Sequence, residues 1–132
     1  MNEENFKSAK DVMLPKVVFV DGLATAKEAV ELMRKEKVDA LFVKKRSDKD
    51  AFGIVVVADF ISEVIIPNRK FEDVNVYEIM TKPVISVPAT MNIRYVPRLL
   101  MKANIRIAPV EQNGEYLGVV SLSSLIIEKL DI

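Results

Sequence analysis

The feature that most constrains this chain is a repeat within its own sequence. When DVMLPKVVFV is placed over EIMTKPVISV, Met13 meets Met80, and the same offset of 67 residues continues without a gap as far as Val43. After a loop that is two residues longer in the first copy, Gly53 meets Gly118. Self-similarity at a fixed period indicates one structural unit that is used more than once. We therefore predict two copies of a unit of about sixty residues.

Composition limits the chemistry of such a pair. The 132 residues are 50% hydrophobic, which is enough for a compact core without covalent cross-links. The sequence contains no cysteine and no histidine, so disulfides, thiolate nucleophiles, histidine acid–base pairs and most zinc or copper sites are excluded. It also contains no P-loop, paired-carboxylate cluster or glycine-rich phosphate cradle. We predict no metal site and no enzyme activity.

Charge and hydropathy indicate a small ligand rather than a polymer or a membrane. Nineteen Lys and Arg balance nineteen Asp and Glu, so the chain has no overall basic field for DNA or a membrane surface. The run KKRSDKD at 44–50 mixes both signs and is typical of a solvated hairpin tip. The first residues form no apolar signal sequence, and no segment approaches the ~20 apolar residues of a membrane span. We expect a soluble, cytoplasmic protein.

Each copy is predicted to contain a short strand, a helix, a two-stranded hairpin and a second helix. Residues 17–20 and 84–87 are rich in β-branched side chains and predict the first strands. Thr25 and Glu28 form a capping box for a helix that runs to about Lys37.

The second copy differs from the first at this helix. Asn92 is the matching cap, and the helical pattern continues through Leu99 and Ala103. Pro97, however, lies inside the predicted helix, where its ring would clash with a preceding carbonyl. We expect a kink or a late start there.

Glycines mark the hairpins. The Asn-Gly pair at 113–114 predicts a two-residue turn between strands at 105–111 and 116–122. Gly53 and Gly118 are predicted to open strands that are apolar on both faces, as buried central strands are.

The last helix of each copy bears on assembly. The segments at 60–66 and 125–132 are apolar nearly all round, so they require cover on more than one side. We expect a second chain to provide part of that cover; the alternative is that these helices complete a monomeric core. Residues 67–75 are polar and begin with proline, and they are predicted to link the two copies.

This order of elements, with IMTKPV, GIVVVADFI and GVVSLSSLI in place, resembles a tandem pair of CBS domains, the Bateman module. The resemblance implies an α/β (α+β) fold in which two pseudo-symmetric βαββα repeats pack as one unit. It places CBS domain 1 at 8–66, the linker at 67–75 and CBS domain 2 at 76–132. Members of the family regulate and do not catalyse; they usually dimerise, and many bind adenine nucleotides or S-adenosylmethionine in clefts between the repeats.

The resemblance assigns a ribose-binding role to Asp59. In the family pattern an aspartate at this position accepts hydrogen bonds from both ribose hydroxyls, which suits a vicinal diol. Val56 stands where the family has a hydroxyl, and Ala58 stands where a second polar residue often occurs. The alternative is that Asp59 is only the N-cap of the helix that follows.

The same resemblance places further contacts around a ligand held by Asp59. The base contacts are Ile54, Pro83, Val84 and Ile85, and the phosphate contacts are Arg106 and Ser123. Arg106 has the planar fork of donors that suits phosphate, although a solvent-facing charge is an equal alternative. Its counterpart in the first copy is Asp39, which would repel phosphate. We therefore expect one working cleft.

The second cleft is predicted to be weak or empty. Ser124 replaces the carboxylate there, whereas Ser121 and Ser123 keep their hydroxyls. Lys16 and Val17 would line this cleft. The alternative is that all three serines are strand-end and capping residues.

Two functions are compatible with these residues. The first is a homodimeric sensor that needs no cofactor, binds AMP, ADP, ATP or S-adenosylmethionine, and signals to a separate regulated protein. The second is a scaffold for dimerisation and protein docking whose clefts no longer bind ligand. Asp59 favours the sensor, whereas Val56 and Ala58 favour the scaffold. The sequence does not choose among the four ligands, because all four share the base and the ribose.

Overall fold

The computed structural model describes residues 7–129, and these form two compact units. The first unit is Val18–Val84. The second unit combines the described residues of Met1–Val17 with those of Ile85–Ile132. Each unit thus joins the strands of one copy to the segment that precedes the first strand of the other copy.

The described strands and helices are short. The strands are β1 (Phe19–Val20), β2 (Ala40–Val43), β3 (Gly53–Val56), β4 (Val87–Pro88), β5 (Ile107–Gln112) and β6 (Glu115–Ser121). The helices are α1 (Ala9–Val12), α2 (Ala26–Glu36), α3 (Val57–Phe60), α4 (Val76–Ile79), α5 (Val96–Lys102) and α6 (Leu122–Ser124). Two helices continue as π-helical turns, α3 over Ile61–Ile65 and α6 over Leu125–Lys129. A 3₁₀ turn at Phe71–Asp73 precedes α4.

Each unit contains one three-stranded sheet. The order is β1-β2-β3 in the first unit and β4-β5-β6 in the second, with the first pair parallel and the second pair antiparallel in both. This repetition confirms the predicted α+β fold with two repeats.

Gly53 opens β3 as predicted, whereas Gly118 lies within β6. The central strands are β2 and β5, so the prediction that the strands of these glycines are central is wrong. β3 and β6 lie at sheet edges, but the outer main chain of each pairs with an irregular segment, at Ile54 with Thr81 and at Val119 with Leu14. A strand that is apolar on both faces can therefore lie at an edge.

The hydrophobic clusters explain why the units exchange their leading segments. In the first unit, Val76 of α4 is buried in one cluster with Leu41 of β2. In the second unit, Val12 of α1 is buried in one cluster with Leu100 and Val120. Burial of each such side chain stabilises the fold by about 1.5–3 kcal/mol. α4 and α1 are therefore core elements of the units in which they lie.

Local capping chemistry sets the limits of α2. Thr25 Oγ1 accepts a hydrogen bond from Glu28 N at 3.0 Å, and Thr25 N donates to Glu28 Oε1 at 2.9 Å. The predicted capping box is thereby confirmed. Lys37 follows the helix with a left-handed backbone (φ 57°), which ends it.

The corresponding helix of the second unit starts late, as predicted from Pro97. α5 begins at Val96 and has Tyr95 as its N-cap, with the proline in the first turn, where no N–H is needed. The prediction that Asn92 is the cap is wrong. Its Oδ1 accepts instead from Arg94 N at 2.9 Å, within the turn that leads to the helix.

The second hairpin has the predicted turn. Asn113 and Gly114 both have positive φ angles, 54° and 80°, as a two-residue turn of type I′ requires. The first strands are shorter than predicted, because only Phe19–Val20 and Val87–Pro88 pair with a neighbour.

The last helix of each unit has one buried and one exposed side. Phe60 and Val64 are buried in the first unit, and Leu125 is buried in the second. The exposed isoleucines are Ile61, Ile65, Ile66, Ile126 and Ile127. Residues 130–132 of the predicted helix lie outside the described residues, and cover by a second chain stays a prediction. Between residues 7 and 129 no helix is long and apolar enough to cross a membrane.

Candidate functional site

Asp59 lies at the junction of β3 and α3. Val56 ends the strand with extended backbone (φ −121°), and its N–H donates to Asp59 Oδ2 at 2.8 Å. Asp59 is thus the third helical residue and supplies one bond of a capping box, so the alternative that Asp59 is the N-cap is wrong. Val56 has no side-chain acceptor to complete the box. No other hydrogen bond of the Asp59 side chain occurs within residues 7–129.

The surroundings of Asp59 disfavour its negative charge. Partial burial raises the pKa of this carboxyl above its ordinary value of 3.8, and the neighbouring Glu63 carboxylate raises it further. The hydrogen bond from Val56 N acts in the opposite direction, but the net shift of the pKa is upward. A ligand that brings hydroxyl donors would stabilise the ionised carboxylate.

The outer edge of β3 lies beside the segment that carries the predicted base contacts. Ile54 exchanges two main-chain hydrogen bonds of 2.9 Å with Thr81. The chain continues from there through Pro83, which is exposed, to Val84, which is half-buried. The first unit therefore contains Asp59 and three of the four predicted base contacts.

Thr81 also lies at this edge and was not among the predicted ligand contacts. Its side chain is exposed, two residues before Pro83. The signal that could have located it is Gly53: a Cβ at that position would lie 2.7 Å from Met80 Sδ and 3.4 Å from the Thr81 carbonyl oxygen. Glycine within a strand often marks the close approach of another main chain.

An ion pair holds the same segment from the β2–β3 loop. Lys82 Nζ contacts Asp50 Oδ1, and Asp50 Oδ2 accepts from Arg46 N at 2.9 Å. These partners, Lys82 first, hold the pKa of Asp50 well below its usual range. The Asp50 side chain is only 11% exposed, whereas residues 44–49 are exposed. The prediction of a solvated tip at 44–50 is therefore wrong for its last residue.

Asp50→Asn is expected to lower the melting temperature at pH 7 by a few degrees, because it leaves Lys82 without its charged partner. A lowered pKa gives stability that is present above the unfolded value and is lost as pH falls through the folded value. The deficit of the variant should therefore shrink below pH 3.8. Thermal unfolding followed by circular dichroism measures it. Asp48→Asn, at an exposed position of the same loop, is the control; equal melting temperatures for the two variants would contradict a role for the ion pair.

The second unit repeats this edge geometry with other side chains. Leu14 exchanges main-chain hydrogen bonds of 2.8 and 2.9 Å with Val119 of β6. Lys16 and Val17 follow Leu14 as Pro83 and Val84 follow Thr81. Lys16 is exposed and Val17 is half-buried.

Serines occupy the strand–helix junction of the second unit. Ser121 Oγ accepts from Ser124 N at 3.0 Å, and Ser124 Oγ accepts from Ser121 N at 3.1 Å. The Ser121 and Ser123 hydroxyl oxygens lie 3.2 Å apart. Ser124 is buried, and its hydroxyl also lies 3.1 Å from the Ser121 carbonyl oxygen. These bonds favour a capping role for the serines.

The predicted phosphate contacts also lie in the second unit. The Arg106 carbonyl oxygen accepts from Leu122 N at 2.9 Å, next to Ser123 in the chain, and both the Arg106 and Ser123 side chains are exposed. Ile85 belongs to this unit as well. Asp39 has the corresponding place in the first unit, directly before β2, and is exposed. The grouping of Ile85, Arg106 and Ser123 with Asp59 stays a prediction. Among residues 7–129 no cluster of three or more potential ligand side chains is arranged to hold a metal ion.

Comparison with known sequences indicates the family. The family model described as CBS domain matches residues 9–66 and 76–131, which make up most of the chain. The uncharacterized protein MK0525 of Methanopyrus kandleri is 26% identical over 103 residues, covering 77% of this chain and 52% of that protein. The chain thus spans about half the length of this relative.

Solved structures agree in fold. The hexameric CBS-CP12 protein from bloom-forming cyanobacteria is 35% identical with a TM-score of 0.88, over 93% of this chain and 71% of that chain. The CBS domain pair of protein MJ0100, solved with 5′-methylthioadenosine and S-adenosyl-L-methionine, is 22% identical with a TM-score of 0.76, over 91% and 93% of the two chains. At that identity the likeness shows the fold alone. The two matched segments and the repeated sheets lead to one conclusion: this chain belongs to the CBS domain family and carries two CBS domains in tandem.

Proposed function

We propose that this protein is a regulatory module that binds an adenosine-containing ligand and signals to a separate protein. The observation that carries the proposal is Asp59, a half-buried carboxylate in the first turn of α3 that is bonded through one oxygen to Val56 N. This helix follows β3, the strand whose edge pairs with Thr81. CBS domains are as a class regulatory and non-catalytic, and the CBS pair of MJ0100 was solved with two adenosine compounds. The candidate ligands are AMP, ADP, ATP and S-adenosylmethionine, and no cofactor is required.

In this proposal Asp59 binds the ribose diol, and apolar residues bind the base. Ile54, Pro83 and Val84 provide apolar surface on the first unit, and Ile85 is the fourth base contact. The raised pKa of Asp59 supports the assignment, because hydroxyl donors from a ligand would offset the cost of a partly buried charge.

The tail of the ligand is proposed to meet Arg106 and Ser123. Asp39 lies at the end of β2 that pairs with Val56, and its charge opposes a phosphate near Asp59. A guanidinium that contacts phosphate contributes roughly 1.5–3 kcal/mol, whereas the same side chain contributes nothing to an uncharged tail. AMP and 5′-methylthioadenosine are therefore a matched pair that isolates the contribution of Arg106.

The second cleft, around Ser121, Ser124, Lys16 and Val17, is proposed to bind weakly or not at all. The observation in favour is that Ser121 and Ser124 already bond to each other. A ligand would have to break those bonds to use the hydroxyls.

Homodimer formation, absence of catalysis and a cytoplasmic location are parts of the same proposal. The exposed isoleucines of the last helices, such as Ile65 and Ile66, support association through that surface. The CBS-CP12 protein from cyanobacteria is hexameric, so assembly beyond a dimer is a measurable alternative. Size-exclusion chromatography with light scattering distinguishes these states.

Isothermal titration of the protein, stripped of carried-over ligand, tests the proposal. We expect one of the four ligands to bind at one site per chain. Arg106→Ala should weaken AMP binding about tenfold or more and change 5′-methylthioadenosine binding less than twofold. Equal effects on both compounds would show that Arg106 does not contact the phosphate. No heat from any compound would contradict ligand sensing and favour the second candidate, a docking scaffold, for which Val56 and Ala58 are the supporting residues.

A further inference from the structure

The segment that contains α5 differs in charge from its counterpart in the first copy. Residues 91–106 contain no Asp or Glu and four basic residues, whereas the aligned residues 24–39 contain four basic and four acidic residues. At two aligned positions the change is direct: Glu28 is replaced by Tyr95, and Glu31 is replaced by Arg98. The total charge of the chain is zero, so this excess of positive charge is local.

The structure places these side chains on the outer face of α5. Val96 and Leu100 are fully buried in the second unit, and Arg98 and Lys102 lie two residues further along the helix, on the opposite side. The Arg98 guanidinium lies 5.8 Å from the centre of the Tyr95 ring. The aromatic side chain and a basic side chain are therefore neighbours at the start of the helix.

The basic side chains of this face have no acidic partner among residues 7–129. Arg94, Arg98 and Lys102 are exposed, and none of them forms an ion pair with another described residue. Arg98 and Lys102 are four residues apart, a spacing at which like charges destabilise a helix. Tyr95 and Met101 beside them are 53% and 68% exposed. Tyr, Met and Arg are enriched at protein interfaces.

We infer that the outer face of α5 is a docking surface for an acidic segment of another protein. Carboxylates of the partner would pair with Arg94, Arg98 and Lys102, and an apolar side chain would pack on Tyr95 and Met101. Three cations on a chain of zero net charge are few for a nucleic acid, which is held through many phosphate contacts. The inference rests on the proposed role in signalling to another protein but not on ligand binding at Asp59.

NMR titration of the ¹⁵N-labelled full chain with a synthetic peptide of about twelve residues, composed of Glu, Asp, Leu and Phe, tests the inference. We expect amide shifts at α5, a dissociation constant below about 1 mM at low salt, and weaker binding at higher salt. Arg98→Glu should weaken binding of the peptide at least about tenfold. This variant introduces the residue of the first copy and places a carboxylate four residues before Lys102, so the helix should stay folded.

Two controls separate this surface from general electrostatics. Lys35→Glu removes an exposed cation from α2, at the position aligned with Lys102, and should change the affinity less than twofold. A peptide with Gln and Asn in place of the acids should not bind. Equal losses in the Arg98 and Lys35 variants, tighter binding of a thymidine oligonucleotide of similar charge, or no shifts at α5 would overturn the inference. Nucleotide titration of Arg98→Glu should match the unmodified protein, so failure of this surface and failure of the ligand site are distinguishable.

Discussion

Gly118→Ala is expected to destabilise the protein by about 2–3 kcal/mol, the cost of overpacking a rigid site. A Cβ at this position would lie 2.6 Å from the Leu14 carbonyl oxygen and 2.7 Å from Met13 Sδ. The Leu14 oxygen accepts hydrogen bonds from Val119 N and Lys16 N, at 2.9 and 2.8 Å. The main chain therefore cannot withdraw without losing those bonds.

Gly53→Ala is the matched comparison in the first unit. The shortest contact there is with Met80 Sδ, at 2.7 Å, whereas Val43 Cβ and the Thr81 carbonyl oxygen lie further away, at 3.3 and 3.4 Å. Methionine is flexible and can adjust its rotamer, so we expect a loss of about 1 kcal/mol. Urea unfolding of both variants measures the difference. Equal losses would show that the edge contact of Leu14 with β6 is no more rigid than that of Thr81 with β3.

Asp59→Asn is expected to weaken binding of the adenosine-containing ligand about 100-fold. The amide keeps one acceptor oxygen for Val56 N but loses the charge, and each charge-assisted hydrogen bond to the ribose contributes roughly 1.5–3 kcal/mol. The same loss should develop in the unmodified protein as pH falls through the raised pKa of Asp59, because protonation removes the charge. Titration calorimetry at several pH values measures both effects.

The effect of Asp59→Asn on the free energy of unfolding is predicted to differ from its effect on ligand affinity. The raised pKa means that the folded protein holds this proton more tightly than the unfolded chain does. The contribution of Asp59 to stability is thus most favourable below 3.8 and declines as pH rises to the folded pKa. Asp59→Asn should therefore be at least as stable as the unmodified protein at pH 7. Asp59→Ala should be about 1 kcal/mol less stable, because Val56 N loses its partner. Lost stability in the Asn variant would make Asp59 a structural residue.

Ser124→Ala is the control for the position of the site. Ser124 aligns with Asp59, and its substitution removes the hydroxyl bonded to Ser121 N. It should lower stability slightly and leave the principal binding event unchanged. Loss of binding in Ser124→Ala, together with normal binding in Asp59→Asn, would transfer the ligand to the second unit.

The parts of the fold that depend on local chemistry could be predicted from the sequence. The repeat fixed the number of units, Thr25 and Glu28 located a helix start, and Asn113 with Gly114 located a turn, because each signal lies within a few residues. The late start of α5 followed from Pro97 for the same reason.

The parts that depend on distant pairing could not be predicted. Contacts between residues far apart in the sequence decide which strand of each sheet is central. Such contacts also decide that α1 and α4 pack with the strands of the other copy. The ion pair of Asp50 with Lys82 joins residues that are separated in the chain by β3, α3 and α4, so the charge run at 44–50 did not indicate it.

The candidate site combines both kinds of information. Asp59 was singled out by its likeness to the family pattern, and the structure adds its place as the third residue of α3 and the bond to Val56 N. Thr81 and the edge of β3 became visible only in the structure. The sequence alone did not indicate that Asp59 and most of the base contacts lie in one unit.

A crystal structure of the protein with the nucleoside compound that binds most tightly in titration would show directly where the ligand lies. We predict the ribose hydroxyls on the Asp59 carboxylate and the base against Ile54, Pro83 and Val84, with nothing bound at Ser121 and Ser124. Ligand density at the serines, or a ribose that does not contact Asp59, would show that Asp59 is not the ribose-binding residue.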